Sequence, residues 1–283
     1  MRFELSTLAA SFLWGSSFVV IKFGLNFIGP LSFAFFRFLT ASIIIVFLFL
    51  LMKKRLDFTI FKNKYILILG LTNTLGILLQ FIGLTLTTAT KTALLVNVNV
   101  VVVAILSHFM LKERLSGRRE IAILSGILGV FLLTTKGDLN SLKGGEFLGD
   151  ILVFLAGVVW ALYIVYSKKA ISGNMEILKM TFGVMPLTAF FLFPFLILGD
   201  ASFNLQSVSV ILYTGIFCTI AALMLWLYGL KEISATASSV ILLAEILFAV
   251  ILAFLFLGET LTLIDGVGGF FIVLAVGLVT VSK

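Results

Sequence analysis

The sequence predicts an all-α integral membrane protein with ten transmembrane helices as two inverted five-helix repeats. Three observations predict it: a composition too apolar for a soluble domain, ten apolar runs of spanning length, and an internal match at an offset of 146 residues. Of 283 residues, 61% are hydrophobic and 12% charged, against about 45–50% and about 25% in soluble domains. The net charge of +7 could suit nucleic acid, but that partner needs basic residues on one solvated face. Here they lie between long apolar runs, so nucleic acid is not expected. One cysteine (Cys218) and one histidine (His108) are too few for a disulfide framework or a Cys/His metal site. No metal or cofactor is expected.

A bilayer core of about 30 Å takes about 20 apolar residues per helix. On that ruler the spans fall near 4–24, 30–52, 65–86, 92–111, 119–136, 148–168, 177–199, 208–229, 236–257 and 264–282. The first could be a secretory signal. Its basic region holds only Arg2 and no small-residue cleavage site follows, so it reads as a retained helix. The fifth and tenth have short uncharged cores, Ile121–Thr135 and Gly266–Ser282, whereas the eighth lies in the charge-free stretch 201–230. With the amino terminus inside, 15 of the 20 Lys and Arg residues are cytoplasmic, at Arg2, within 53–64, 112–119 and 168–179, and at Lys231 and Lys283. Three, Lys91, Lys136 and Lys143, are external. Short loops with that asymmetry orient a chain, so both termini are expected in the cytoplasm of a plasma-membrane protein.

The offset of 146 aligns Trp14 with Trp160, Lys22 with Lys168, Gly83 with Gly229, Glu113 with Glu259, and Ser116 with Thr262. It also lays Thr88-Ala-Thr over Ser234-Ala-Thr. The match fades beyond residue 120, leaving spans five and ten unaligned. The first repeat is then 1–137 and the second 138–283, within one membrane domain. Five helices per repeat is odd, so the second copy enters from the opposite side. Inverted repeats of this kind let secondary transporters expose a central site to either face in turn.

Residues polar or bulky in both halves mark the axis between them. Asn73 and Gln80 share one helix face and map to Thr219 and Trp226; Thr92 and Asn99 map to Ser238 and Glu245; Trp14 and Ser17 map to Trp160 and Tyr163. The expected substrate-binding set is therefore Trp14, Ser17, Asn73, Gln80, Asn99, Trp160, Tyr163, Trp226 and Glu245. A carboxylate in the middle of an apolar span costs about 2.5–3.5 kcal/mol on insertion scales, which makes Glu245 the proton-coupling candidate. The bland alternative is a neutral Glu245 hydrogen-bonded across helices to Asn99. Lys22 and Arg37 are expected to snorkel to the outer interface, Lys168 to anchor at the inner end, and His108 to be interfacial. Glu113 and Glu259 are expected to tie the helix starts at Ser116 and Thr262. The clusters Ser125, Gly126, Gly129 and Gly266, Gly268, Gly269 suit close helix approach.

Trp14-Gly-Ser-Ser-Phe followed by Lys22, Arg37 after Pro30, and the doubled ends Glu113-Arg-Leu and Gly258-Glu-Thr-Leu resemble the EamA-like transporters of the drug/metabolite transporter superfamily, over nearly the whole chain. The resemblance implies ten helices, both termini inside, a central cavity between the halves, and movement of small metabolites such as amino acids, often outward. Where that family often has proline, after the Glu245 position and in the fourth helix, this chain has Ile246 and Val100. The expected function is a non-enzymatic secondary transporter exporting an amphipathic metabolite by alternating access, with Glu245 as proton site if transport is coupled. A channel or uncoupled facilitator is the alternative. An intramembrane enzyme ranks below both, because His108 is badly placed to serve Ser16 or Ser17 as base. The expected partners are a small-molecule substrate, the lipid bilayer and, as an option, a second copy of the chain.

Overall fold

Matching capping chemistry starts helices at matching places in the two halves. Thr88 accepts from Lys91 N–H at 3.2 Å and Ser234, 146 residues on, from Ala237 N–H at 3.1 Å. Ser116 and Thr262 likewise accept from Arg119 N–H and Asp265 N–H. Each hydroxyl satisfies one of the donors that a helix start leaves open. The computed structural model describes residues 1–114, 116–199, 203–258 and 260–280. The expectations resting on Glu259, on Lys283 and on the last residues of the tenth span lie outside the described residues.

In the first half the helices are α1 (Arg2–Gly24), α2 (Pro30–Leu51), α3 (Lys64–Leu86), α4 (Ala89–Val96), α5 (Asn99–Leu111) and α6 (Gly117–Thr135). In the second they are α7 (Phe147–Ser172), α8 (Ile177–Leu192), α9 (Leu205–Tyr213), α10 (Ala222–Glu232), α11 (Ala235–Leu242), α12 (Ala244–Leu257) and α13 (Leu263–Thr280). Residues Phe193–Leu198 extend α8 as a 3₁₀ turn, and a π-helical segment, Thr214–Ala221, joins α9 to α10. Among the described residues all regular structure is helical. The offset of 146 carries α4 onto α11 and the start of α6 onto the start of α13, so spans five and ten align where the sequence match had faded.

Nine helical stretches among the described residues are long and apolar enough to cross a membrane. They agree with nine of the ten expected spans, α4–α5, α11–α12 and α9–α10 each counting as one stretch. The remaining one, α6, has Arg118, Arg119 and Glu120 in its first turn, which shortens its apolar run. Large side chains such as Phe109, Leu124 and Phe190 are 76%, 68% and 70% exposed. An apolar surface of that kind is costly in water and natural against lipid.

The fourth and ninth of the ten spans break even though proline is missing from both places. At Asn97–Val98 the backbone switches to i→i−3 hydrogen bonds, and the Asn97 amide donates to Ala93 O at 2.7 Å. A side chain that offers the backbone an alternative partner interrupts the helical ladder. The matching break is at Leu243, where Leu243 and Ile246 also bond i→i−3 and Ser11 of α1 donates to Ile241 O at 3.3 Å.

Contacts sort the helix ends into two groups. At the Glu113 end, the Phe3 ring lies 5.1 Å from that of Tyr228 and Lys54 pairs with Glu176. At the Lys91 end, Glu146 N–H donates to Leu86 O at 2.7 Å, Gly24 lies against Val210, and Gly137 against Ile264. Between the ends, α6 and α13 cross at Gly129 and Gly268. A Cβ on Gly129 would sit 2.8 Å from the Gly268 carbonyl, and Ser125 Oγ donates to Phe271 O at 2.9 Å. Gly266 has nothing within 4 Å of its would-be Cβ, so it takes no part in that approach.

Candidate functional site

Four aromatic side chains from α1, α7 and α10 form one continuous line. Trp160 meets Tyr163 edge-on at 5.9 Å between ring centroids, Tyr163 stacks on Trp226 at 5.9 Å and 19°, and Trp226 lies 6.1 Å from Trp14. Each indole N–H finds an acceptor, as buried tryptophans require. Trp160 donates to Gln80 Oε1 at 3.1 Å, Trp226 to Ser238 Oγ at 2.9 Å, and Trp14 to the Cys218 carbonyl at 2.9 Å. Trp226 is 1% exposed and Tyr163 5%, whereas Trp14 and Trp160, at the two ends of the line, are half-buried. Gly76 makes room for Trp160: a Cβ there would lie 2.8 Å from the indole ring. Five of the expected residues, Trp14, Gln80, Trp160, Tyr163 and Trp226, thus come together.

Asn73 and Ser17 lie off this line. Asn73 is buried and its amide donates to Thr188 Oγ1 of α8 at 3.0 Å. The Ser17 hydroxyl donates back to Trp14 O at 2.6 Å. Both side chains are engaged within the helix framework.

Asn99 and Glu245 occupy equivalent places, each in the first turn after a helix break. Both are half-buried, and neither side chain has a hydrogen-bond or ion-pair partner among the described residues. The alternative in which Glu245 bonds to Asn99 is therefore not what the structure contains. Gly15 lets α1 approach α12 closely, since a Cβ there would lie 2.6 Å from the Glu245 carbonyl. Glu245 is consequently one residue's width from the helix that carries Trp14.

The π-helical segment and Arg37 were not legible as a unit from sequence. Thr219 Oγ1 donates to Thr214 O, five residues back, at 2.9 Å. π segments leave backbone carbonyls without the usual partner and recur at functional sites. Here the Cys218 carbonyl accepts from both Trp14 Nε1 and Arg37 Nη2, the latter at 3.1 Å, while Arg37 Nε donates to Thr219 Oγ1 at 2.6 Å. Ser16 Oγ and Tyr213 OH close the cluster at 2.9 Å. The expectation that Arg37 snorkels to the interface is corrected: its side chain reaches inward to mid-span, because the π segment offers it acceptors. No carboxylate pairs with it among the described residues. The signal available in sequence was that Thr219 is the repeat counterpart of Asn73.

Two further expectations change at the Glu113 end. Glu113 does not tie the helix start at Ser116; it crosses to the other half and accepts from Ala235 N–H at 2.7 Å, Thr236 N–H at 3.3 Å and Thr236 Oγ1 at 3.0 Å. Lys168, expected only as an anchor at the inner end, has protein partners there: its ammonium donates to the carbonyls of Leu230, Lys231 and Ile233 at 2.8, 3.2 and 2.8 Å. The unfilled first-turn donors of α11 and last-turn acceptors of α10 explain both choices. His108 is exposed, its Nδ1 3.1 Å from Glu113 O. At the opposite end Lys91 pairs with Asp150, which also accepts from Thr87 Oγ1 at 2.6 Å.

Comparison with known proteins adds identity to this geometry. The profile of the EamA-like transporter family matches residues 1–135 and again 147–281. An uncharacterized transporter of Archaeoglobus fulgidus is 30% identical over 278 residues, 96% of this chain and 94% of the relative. The uncharacterized transporter YoaV of Bacillus subtilis is 24% identical over 269 residues, 93% and 91% of the two chains. One solved crystal structure superposes with a TM-score of 0.84 at 17% identity, covering 98% of this chain and 96% of its own, which shows a shared fold. An all-helical membrane chain matched twice by one transporter profile, with relatives of nearly its own length that are named as transporters, is a transporter and belongs to the EamA-like transporter family.

Proposed function

We propose that this transporter is a secondary carrier that exports a small amphipathic metabolite, an amino acid or a related solute, by alternating access, with Glu245 as its proton-coupling group. The observation that carries this reading is the pair Asn99 and Glu245. They are repeat-equivalent, each follows a helix break, neither is partnered among the described residues, and Glu245 adjoins the helix that carries Trp14 of the aromatic line. Broken helices near the middle of duplicated halves are where carriers place their sites. An intramembrane carboxylate is by default a functional group, and the indoles supply flat apolar walls with polar edges.

In this reading α6 is the fifth span, completing ten, because it packs along α13, and the halves are inverted repeats. Equivalent contacts with exchanged partners support the inversion. Gly83 lies against Gly149 and Val153, and its counterpart Gly229 against Phe3 and Thr7, the counterparts of those two residues. The loop lysines and arginines support a plasma-membrane orientation with both termini in the cytoplasm.

Counterflow in proteoliposomes tests the proposal: vesicles preloaded with pooled unlabelled amino acids and related metabolites are followed for entry of labelled ones at several pH values. Saturable exchange is expected, with a pH dependence that Glu245→Gln abolishes. Non-saturating flux would overturn the carrier reading, and an unchanged pH profile in Glu245→Gln would overturn the proton role.

A further inference from the structure

The two ends of the molecule are closed to different degrees, and the repeat makes the comparison internal. At the Glu113 end α11 packs on α5, α11 on α7, and α10 on α7. Exchanging each helix for its repeat counterpart turns these pairs into α4 with α12, α4 with α1, and α3 with α1. Among the described residues those three make at most marginal contact. The larger packings that link the two halves elsewhere, such as α1 on α12 and α5 on α7, have their counterparts, whereas the slighter ones of α6 on α11 and α12 do not. The largest difference, α11 on α5 without α4 on α12, lies at the Glu113 end.

Two charged side chains bind backbone groups at the closed end. The Glu113 carboxylate binds two N–H groups and a hydroxyl at the start of α11, and Lys168 binds three carbonyls at the end of α10. The α11 start is already capped once by Ser234, on Ala237 N–H. Glu113 takes donors that water would satisfy equally well if the end opened. Contacts of that kind are strong when dry and cheap to exchange for water, which suits a joint that must open and close. An apolar seam or a disulfide would not.

Resting on the carrier reading, we propose that Glu113 is the latch that holds the Glu113 end shut. On this account the structure is the state open toward Lys91, and release of Glu113 from α11 is the event that lets the other face open. Glu113 is thus a positioning residue, acting on the half-helix that leads into the break before Glu245.

The test reads sidedness and needs no substrate. In a Cys218→Ser background, Asn99→Cys reports access to the middle of the protein, and membrane-impermeant maleimide is added from either face. A parallel Asn140→Cys protein identifies the Lys91 face. The reporter is expected to react from the Asn140 face when Glu113 is present. Glu113→Ala should shift the ratio of labelling toward the opposite face by about tenfold or more, and Glu113→Gln, which keeps one oxygen acceptor, by less. A ratio unchanged by Glu113→Ala, or labelling that rises equally from both faces as simple loosening would produce, overturns the latch. Should Glu113→Ala fail to insert, a disulfide between Glu113→Cys and Thr236→Cys decides the matter. With the cross-link formed, labelling must come from the Asn140 face alone, and labelling from the other face overturns the proposal. Absence of counterflow would instead count against the carrier reading and leave these measurements interpretable.

Discussion

At the residue scale, Trp226 holds the site together. Its ring meets Tyr163 and Trp14 and its N–H meets Ser238, and it is among the largest fully buried side chains. Trp226→Ala is expected to cost about 3–5 kcal/mol of stability, because a buried aromatic leaves a cavity. Trp226→Phe keeps most of the packing and removes one hydrogen bond, for about 1 kcal/mol. Thermal unfolding of the purified variants checks both values. Of the residues legible in sequence, the aromatics came together because pairing across the repeat selects the interface between the halves. Asn73 and Ser17 did not join them, since the same pairing cannot tell an axis-facing polar group from one spent on a neighbouring helix. Glu113 was misread for a simpler reason. A carboxylate near a helix end has local partners in sequence, and its actual partners are 122 and 123 residues away.

At the scale of elements, the spans and their caps could be read because hydropathy and N-cap residues are local signals. The two breaks and the π segment could not. Without proline, one break comes with an amide that competes for a carbonyl and the other with a hydroxyl from a distant helix, and a π segment changes the hydrogen-bond period without changing the apolar pattern. Glycines separate two kinds of helix contact. Gly129→Ala places a methyl 2.8 Å from the Gly268 carbonyl and is expected to destabilise by about 1–3 kcal/mol through overpacking. Gly277→Ala meets nothing within 4 Å and should stabilise by up to about 1 kcal/mol, the helix-propensity difference. Opposite signs in parallel melting curves are the expected result; equal signs would mean that the crossing of α6 and α13 is not set by these glycines.

At the scale of the whole molecule, the halves do not build separate cores. α1 packs on α10 and α12, α2 on α8, α3 on α7, and α6 on α13, so the main helix pairings run between halves. The duplication is visible in sequence, but the interleaving is not, because self-alignment finds likeness and says nothing of contact. Residues 1–137 and 138–283, expressed as separate chains, are expected to accumulate and co-purify only when made together. A half that survives alone as a folded, protease-resistant species would contradict this architecture.

That interleaving sets a schedule for synthesis. The Ser6 hydroxyl donates to Leu225 O, a residue made 219 positions later, at 2.8 Å, and Ser11 waits for Ile241. At about 5–20 residues per second, α1 spends on the order of ten seconds or more in the bilayer before those partners exist. Lipid offers its hydroxyls no hydrogen bonds. Ser11 also donates to Thr7 O, four residues back on its own helix, at 3.0 Å, and Thr7 to Phe3 O at 3.2 Å, bonds that require nothing but α1 itself. The first helix therefore carries part of its own provisional solvation, and the nascent chain can be parked in the membrane until α11 arrives.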